Sequence, residues 1–340
     1  MKMRTSCMLN PERLQNTNCF EEETCMKKLL AVLIAAMLCL TVCLPAMAET
    51  TYTIGICQLV QHPALDAATQ GFMDTMTAKL GDHVVFDLQN ASGDSATCIT
   101  IVNGFIAGDV DLIMANATPA LQAAYAATET IPILGTSVTD YATALDMTDW
   151  TGVTGENVSG TSDLAPLDEQ AAMLQELFPD AKEVGLLYCS AEANSVYQVE
   201  IITEILTAMG YNCTRYAFSD SNDVASVTMN ACAGRDVIYI PTDNTAASCT
   251  EAIRNVVEAE GVPVIAGEEG ICAGCGVATL SISYYDLGCA TAEMAYEILV
   301  NGGDVSAMEI RFAPNVTKKY NPELCDILNV TIPEGYEAIQ

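Results

Sequence analysis

Basic residues are scarce: 13 lysines and arginines stand against 44 aspartates and glutamates, a net charge of −31. A chain this acidic is repelled by nucleic acid and by anionic membrane surfaces, which argues against both as partners. Histidine is scarcer still. His62 and His83 are the only two, so a metal centre built on histidines is excluded. The sequence holds no G-x-S-x-G elbow, no P-loop and no G-x-G-x-x-G after a strand. No catalytic residue, metal or cofactor is therefore assigned. Apolar residues are plentiful. They make up 51% of 340 residues, too many for disorder and enough for two domains.

The chain reads Met-Lys-Lys from Met26, then an apolar run from Leu29 to Leu44, then Pro45-Ala-Met-Ala48. That is a charged start, a hydrophobic stretch and an A-x-A cleavage site, so residues 26–48 are expected to be a signal peptide. The run has 16 residues, short for a membrane span. Residues 1–25, with Glu21-Glu22-Glu23, read as an extension ahead of the true start. The expected location is the periplasm or the outer face of the cytoplasmic membrane. Val42 before Cys43 and Leu38 before Cys39 make poor lipid-attachment sites. Of 15 cysteines, ten lie beyond Ala48. Most are isolated in apolar stretches and read as small buried hydrophobes rather than a disulfide framework.

The rest alternates strand and helix. Thr53–Cys57 is a first strand, and Ala64–Leu80 a helix with Leu65, Ala68, Phe72, Met76 and Leu80 on one face. Val84–Phe86, a helix carrying Ile99, Val102 and Ile106, Leu112–Ala115 and Ile131–Leu134 follow. After a polar stretch from Thr151 to Asp163 the pattern restarts. Val184–Tyr188 matches the first strand, and Tyr211–Phe218 with its Ser-Asp loop matches the second. Asp236-Val-Ile-Tyr-Ile-Pro-Thr-Asp-Asn-Thr245 echoes Asp111-Leu-Ile-Met-Ala-Asn-Ala-Thr118 about 125 positions earlier. Pro263–Gly267 echoes Pro132–Gly135, and Gly276–Ser283 is a last strand before a helix from Cys289 to Leu299. An ordered repeat of this kind is a duplicated lobe. The expected fold is α/β, with two similar doubly wound parallel-sheet lobes joined by a hinge. Lobe 1 is placed at 49–162 plus 284–309 and lobe 2 at 163–283 plus 310–340. Hinge candidates are Gly160–Asp163, Ser283–Tyr285 and the stretch around Arg311.

In open parallel sheets ligands bind beyond the carboxyl ends of the strands. The polar residues expected there are Gln58, His62, Asn116, Thr118, Thr136, Ser137, Ser162 and Asp163 in the first half. Ser190, Asn194, Ser195, Asp243, Asn244 and Glu268 are their counterparts in the second. Helix capping alone accounts for about half of such residues. Asp243 stands out, because Thr245 or Ala246 can start the following helix with a neutral cap. Cys272-Ala-Gly-Cys275 has no second C-x-x-C pair and is read as a loop with incidental cysteines.

His62-Pro-Ala-Leu-Asp66, Ala117-Thr-Pro-Ala120, Ser190-Ala-Glu-Ala-Asn-Ser195, Pro241-Thr-Asp-Asn-Thr245 and Tyr285-Asp-Leu-Gly288 with Thr291-Ala-Glu-Met-Ala295 carry a resemblance. The chain resembles, over nearly all of residues 52–310, the substrate-binding proteins of ABC transporters with the type I periplasmic-binding fold. Within them it is similar to those that bind tryptophan and other aromatic amino acids. The resemblance implies no chemistry, and delivery of a small molecule to a permease with its ATPase; a monomer is expected. Alternatives are a sensor of the same fold, a binder of a nucleoside or sugar, or a cryptic hydrolase. The expected ligand is a zwitterionic amino acid, its carboxylate against Thr118 or Ser195 and its ammonium against Asp243, helped by Asn244. Tyr188 and Tyr284 offer stacking surfaces. Only eight lysines and arginines lie beyond Ala48, none in these loops, so an anionic ligand is disfavoured.

Overall fold

A computed structural model describes residues 50–313 and 316–339; the expected extension and signal segment lie outside them. The first half runs β1 (Tyr52–Gln58), α1 (Pro63–Leu80), β2 (Val84–Asn90), α2 (Ser95–Ala107), β3 (Leu112–Asn116), α3 (Thr118–Ala127), β4 (Ile133–Val138), α4 (Tyr141–Ala144) and β5 (Val158–Ser162). The second half repeats it after α5 (Leu167–Leu177). It runs β6 (Glu183–Cys189), α6 (Ala193–Ala208), β7 (Asn212–Phe218), α7 (Val224–Cys232), β8 (Val237–Ile240), α8 (Asn244–Ser248), α9 (Thr250–Glu260), β9 (Val264–Ala266), α10 (Glu269–Cys275) and β10 (Ala278–Ile282). Then come α11 (Tyr284–Leu299), β11 (Arg311–Phe312), β12 (Val316–Tyr320), α12 (Pro322–Leu328) and β13 (Glu337–Ala338).

One sheet has the order β11-β5-β4-β3-β1-β2 and the other β13-β12-β10-β9-β8-β6-β7. The repeat is therefore real at the level of topology, since β2-β1-β3-β4-β5 is matched by β7-β6-β8-β9-β10. All pairs are parallel except β10 with β12. The repeated acidic residues share one job. The Asp111 carboxylate accepts the Thr53 N–H at 2.7 Å, and that of Asp236 accepts the Glu183 N–H at 2.9 Å. Each pins the start of a central strand to its neighbour.

β3, β4 and β8 are buried along their full lengths, as continuous apolar runs in a doubly covered sheet must be. The α1 face is buried as the spacing predicts, at Leu65, Ala68, Phe72 and Met76. On α2 the buried stripe is Cys98, Val102 and Phe105, while Ile99 is exposed. Two elements differ from the sequence reading. Residues 158–162, read as part of a polar spacer, form β5. Its hydroxyls find partners inside the protein. Thr161 bonds Thr136 and Thr291, Ser159 donates to the Met308 carbonyl, and Ser162 to that of Thr139. The C-x-x-C segment is the helix α10, with both thiols buried.

The chain passes between the sheets three times, after β5, after β10 and after β11. β11 pairs with β5, so the third crossing follows Phe312, later than the boundary at 309/310 read from the sequence. After the second crossing α11 lies against α1. A Cβ on Gly71 would come within 2.1 Å of the Tyr285 carbonyl oxygen, and one on Gly288 within 2.0 Å of that of Ala68. Two glycines thus allow the backbones to touch, which fixes the start of α11 against α1 at Ala68 and Gly71.

The ten cysteines among the described residues are all free. Seven are buried, and burial pushes several thiols up, Cys189 and Cys232 to about 11. Such thiols are unreactive packing groups. A reductant is expected to leave the melting temperature unchanged in scanning calorimetry; a clear fall would show a stabilising disulfide.

Candidate functional site

The carboxyl ends of both sheets face a common cleft, and the switch in strand order falls at β1/β3 in one and β6/β8 in the other. Gln58, Asn116 and Thr136 share one register row across β1, β3 and β4. Gln58 spends its amide within the lobe, donating to Val60 O and to the Asp66 carboxylate and accepting from the Thr69 hydroxyl. Thr136 is bonded to Thr161. Asn116 donates to Leu65 O at 2.8 Å and to Thr69 at 2.9 Å, but its Oδ1 has no partner. Thr118 Oγ1 and Ser137 Oγ are likewise buried and unpartnered. The backbone is strained beside them, with φ at 91° for Ala117 and 54° for Ser137. Strain and orphaned polar atoms together are the marks of a ligand-binding surface.

On the facing lobe Asn194 donates to Glu192, Ser195 and Thr242 O, leaving its Oδ1 unpartnered. Ser190 is exposed and its hydroxyl goes to Phe218 O, so it is a loop fastener outside this cluster. Glu192, which sequence reasoning missed, organises the lobe. Its buried carboxylate accepts from the backbone N–H and side-chain amide of Asn244 at 3.1 and 2.7 Å. It also takes the backbone N–H and hydroxyl of Thr245 at 2.8 and 2.7 Å.

Those bonds orient Asn244. With Nδ2 on Glu192, its Oδ1 faces His62 Nε2 at 3.2 Å across the cleft. Burial lowers the His62 pKa and keeps the ring neutral. Nε2 must then carry the proton that Asn244 accepts, and Nδ1, which has no partner, is left as a bare acceptor.

His62, Asp163, Asp243, Glu268 and Tyr284 line one small cavity with Thr242 and Asn244. Its free volume is about 10 Å³, room for one water-sized group. Asp163 accepts from Thr139 at 3.0 Å and from the Tyr284 hydroxyl at 2.9 Å, which ties the first and second crossings together. Glu268 caps α10 through the N–H groups of Gly270, at 2.6 Å, and Ile271. Asp243 accepts from Cys189 N–H at 2.6 Å and Ala246 N–H at 2.8 Å. It therefore caps α8 itself, and the neutral cap expected at Thr245 or Ala246 is not used. The reason is that Thr245 is already engaged by Glu192. A carboxylate has about four acceptor positions, so each of these groups keeps capacity toward the cavity.

No lysine or arginine lines this cavity. Burial, aided by Glu192, pushes Asp243 up to about 7, and burial pushes Glu268 up to about 7. Asp163 is raised for the same reason. Three desolvated carboxyl groups and the His62 ring thus line this space together with Leu65, Thr242, Asn244, Ala247 and Tyr284. Among the described residues no cluster of metal-ligating side chains is found. Of the two tyrosines expected as stacking surfaces, Tyr284 borders the cavity, while Tyr188 packs against the lobe 2 core.

The family model for ABC transporter substrate binding proteins matches residues 53–338. A tyrosine-binding protein of Clostridioides difficile (strain R20291) is 37% identical over 249 residues, 72% of each chain. An ABC domain in complex with L-Trp from Streptococcus pneumonia superposes with a TM-score of 0.81 at 29% identity, covering 85% of this chain and all of that one. A ligand-free, open substrate-binding protein with adhesive properties from Clostridium difficile is 35% identical, yet its TM-score is 0.65 over 85% of this chain and 99% of that one. The backbone here thus superposes more closely on the L-Trp complex than on the ligand-free, open protein. The chain belongs to the family of ABC transporter substrate-binding proteins.

Proposed function

We propose that this protein captures a zwitterionic aromatic amino acid between its lobes and hands it to an ABC permease, performing no chemistry on it. The observation that carries the reading is a cavity whose wall includes Asp163, Asp243, Glu268 and His62 and no lysine or arginine. An ammonium group is water-sized, offers donors only, and supplies the charge these carboxylates lack. The relatives' ligands, tyrosine and L-Trp, fit that requirement.

The two places considered for the ligand carboxylate are no longer equivalent. The N-terminus of α6, beside Ser195, already has the buried Glu192 next to it. The N-terminus of α3 has no acidic residue in its first turn, and it presents the unpartnered hydroxyl of Thr118, with that of Ser137 close by in sequence. The carboxylate is assigned to Thr118, Ser137 and the α3 N–H groups. Gln58, Thr136, Ser162 and Ser195 keep supporting roles. Export, and action as a monomer, complete the proposal.

The double variant Thr118→Val/Ser137→Ala is expected to bind L-tyrosine and L-tryptophan at least tenfold more weakly in calorimetry, while melting within a few degrees of the parent. Unchanged affinity would place the carboxylate elsewhere.

A further inference from the structure

An acidic residue just ahead of a helix ordinarily caps that helix, as Asp94, Asp140, Asp243 and Glu268 do here. Glu192, just ahead of α6, makes no side-chain bond to its own helix. Its carboxylate reaches the loop after β8 instead. Oδ-side and hydroxyl-side partners divide between its two oxygens: Oε2 takes the N–H and Nδ2 of Asn244, and Oε1 the N–H and hydroxyl of Thr245. Gln198 grips the same loop two residues earlier, accepting from the Thr242 N–H at 3.1 Å and donating to the Thr242 carbonyl at 3.0 Å. The backbone on either side of Asn244 is therefore held, and rotation of its amide is the freedom that remains. The two ends of an amide are nearly alike in shape and opposite in hydrogen-bonding sense. Glu192 decides between them, because a carboxylate beside Nδ2 leaves Oδ1 to face His62.

We infer that Glu192 is a positioning residue for closure of the lobes: by fixing the sense of the Asn244 amide it makes lobe 2 present an acceptor to the His62 Nε2–H of lobe 1. The inference goes beyond the proposed function, since it holds for whatever ligand the cleft takes. His62 precedes α1 in lobe 1 and Asn244 opens α8 in lobe 2, so their 3.2 Å contact exists only where the lobes meet. It uses no ligand atom. The closed arrangement thus has a bond of its own before a ligand arrives. With the amide reversed, Nδ2–H would point at Nε2–H and the contact would repel, unless the ring proton moved to Nδ1. Glu192 therefore sets the tautomer of His62 from the other side of Asn244, without touching the ring.

The test is nitrogen NMR of the histidine rings in the ligand-free protein at pH 8, with small-angle scattering on the same samples. His62 and His83 are the only histidines, so the ring signals are simple to assign. The parent is expected to carry the His62 proton on Nε2. Glu192→Gln keeps the size of the side chain and turns one of its two ends into a donor, so the Asn244 amide loses its fixed sense. In that variant both His62 tautomers are expected. The ratio of closed to open protein should fall by about two- to tenfold, the effect of one hydrogen bond, and the radius of gyration should rise. A parent with the His62 proton on Nδ1 would overturn the inference without any variant, so a Glu192→Gln protein that fails to fold does not shield it. A folded Glu192→Gln protein with the parental tautomer and radius of gyration would overturn it as well, even if it melted earlier, because Glu192 would then be a structural residue only.

Discussion

Replacing Asp243 with Asn is expected to weaken binding of L-tyrosine or L-tryptophan by at least a hundredfold. The residue is fully buried, lies on the cavity wall and borders no lysine or arginine there. Removing one member of a buried, hydrogen-bonded charge pair costs about 3–5 kcal/mol, and each 1.4 kcal/mol is about tenfold in affinity. Asn is the more informative substitution. It keeps an oxygen that can accept from Ala246 N–H, whereas Ala strips the cap of α8 at about 1 kcal/mol. Either substitution leaves the buried Cys189 N–H unpaired, at about 1–3 kcal/mol, because the single Asn oxygen cannot serve both donors. Asp243→Ala should therefore melt clearly earlier as well as bind weakly, and Asp243→Asn should bind weakly with a smaller loss of stability. Parental affinity in a calorimetric titration of Asp243→Asn would contradict the assignment.

Binding should also depend steeply on pH, with affinity rising from pH 5 to pH 8. In the ligand-free protein Asp243 and Glu268 titrate near 7, against ordinary values of 3.8 and 4.5. A carboxyl group that is raised on folding stabilises the fold below its unfolded pKa, and that stability is lost as pH rises through the folded value. The ligand-free protein is thus most stable, from these two groups, below about pH 4 and loses that share by about pH 7. An arriving ammonium reverses the preference, because it pairs with the ionised forms. Protons leave as the ligand enters. Each released proton makes affinity fall about tenfold per unit below pH 7. The charged neighbours act in the same direction. Glu192 on Asp243, and Glu269 with Asp163 on Glu268, raise the carboxyl values, and burial holds the His62 value below its ordinary one. Titrations at pH 7 in two buffers of different ionisation enthalpy count the protons directly. A count of up to about one is expected, half a proton from each group, and zero would show that the cavity carboxylates do not meet the ligand's cation.

The fold was legible because two independent signals agreed. Buried parallel strands read as short apolar runs, and the same runs recurred in the same order with the same acidic lead-in at Asp111 and Asp236. β5 was hidden because Val158-Ser-Gly-Thr-Ser162 satisfies its hydroxyls through partners as distant in sequence as Thr291 and Met308, which no local pattern announces. The site was legible as a set of strand-end polar residues but not as roles. Gln58, Thr136 and Ser190 look the same in sequence as Asn116, Thr118 and Ser137, and only the hydrogen-bond partners separate them. Glu192 was passed over because a glutamate in a loop reads as solvated. Its burial follows from donors 52 and 53 positions away on Asn244 and Thr245. The one signal that pointed toward it lay in its surroundings, between Ser190 and Asn194 in a loop matching the ligand-side loop of lobe 1. His62 showed the opposite case. It was named as a strand-end polar residue, and the structure adds a cross-cleft bond and a bare nitrogen.

The central claim is that the cleft recognises an ammonium group through buried carboxylates. It is tested most directly by titrating the protein at pH 8 with L-tyrosine and with 3-(4-hydroxyphenyl)propionate, which keeps the ring and the carboxylate but lacks the amine. L-Tyrosine is expected to bind at least a hundredfold more tightly than the desamino compound. Equal affinity for the two would contradict the account.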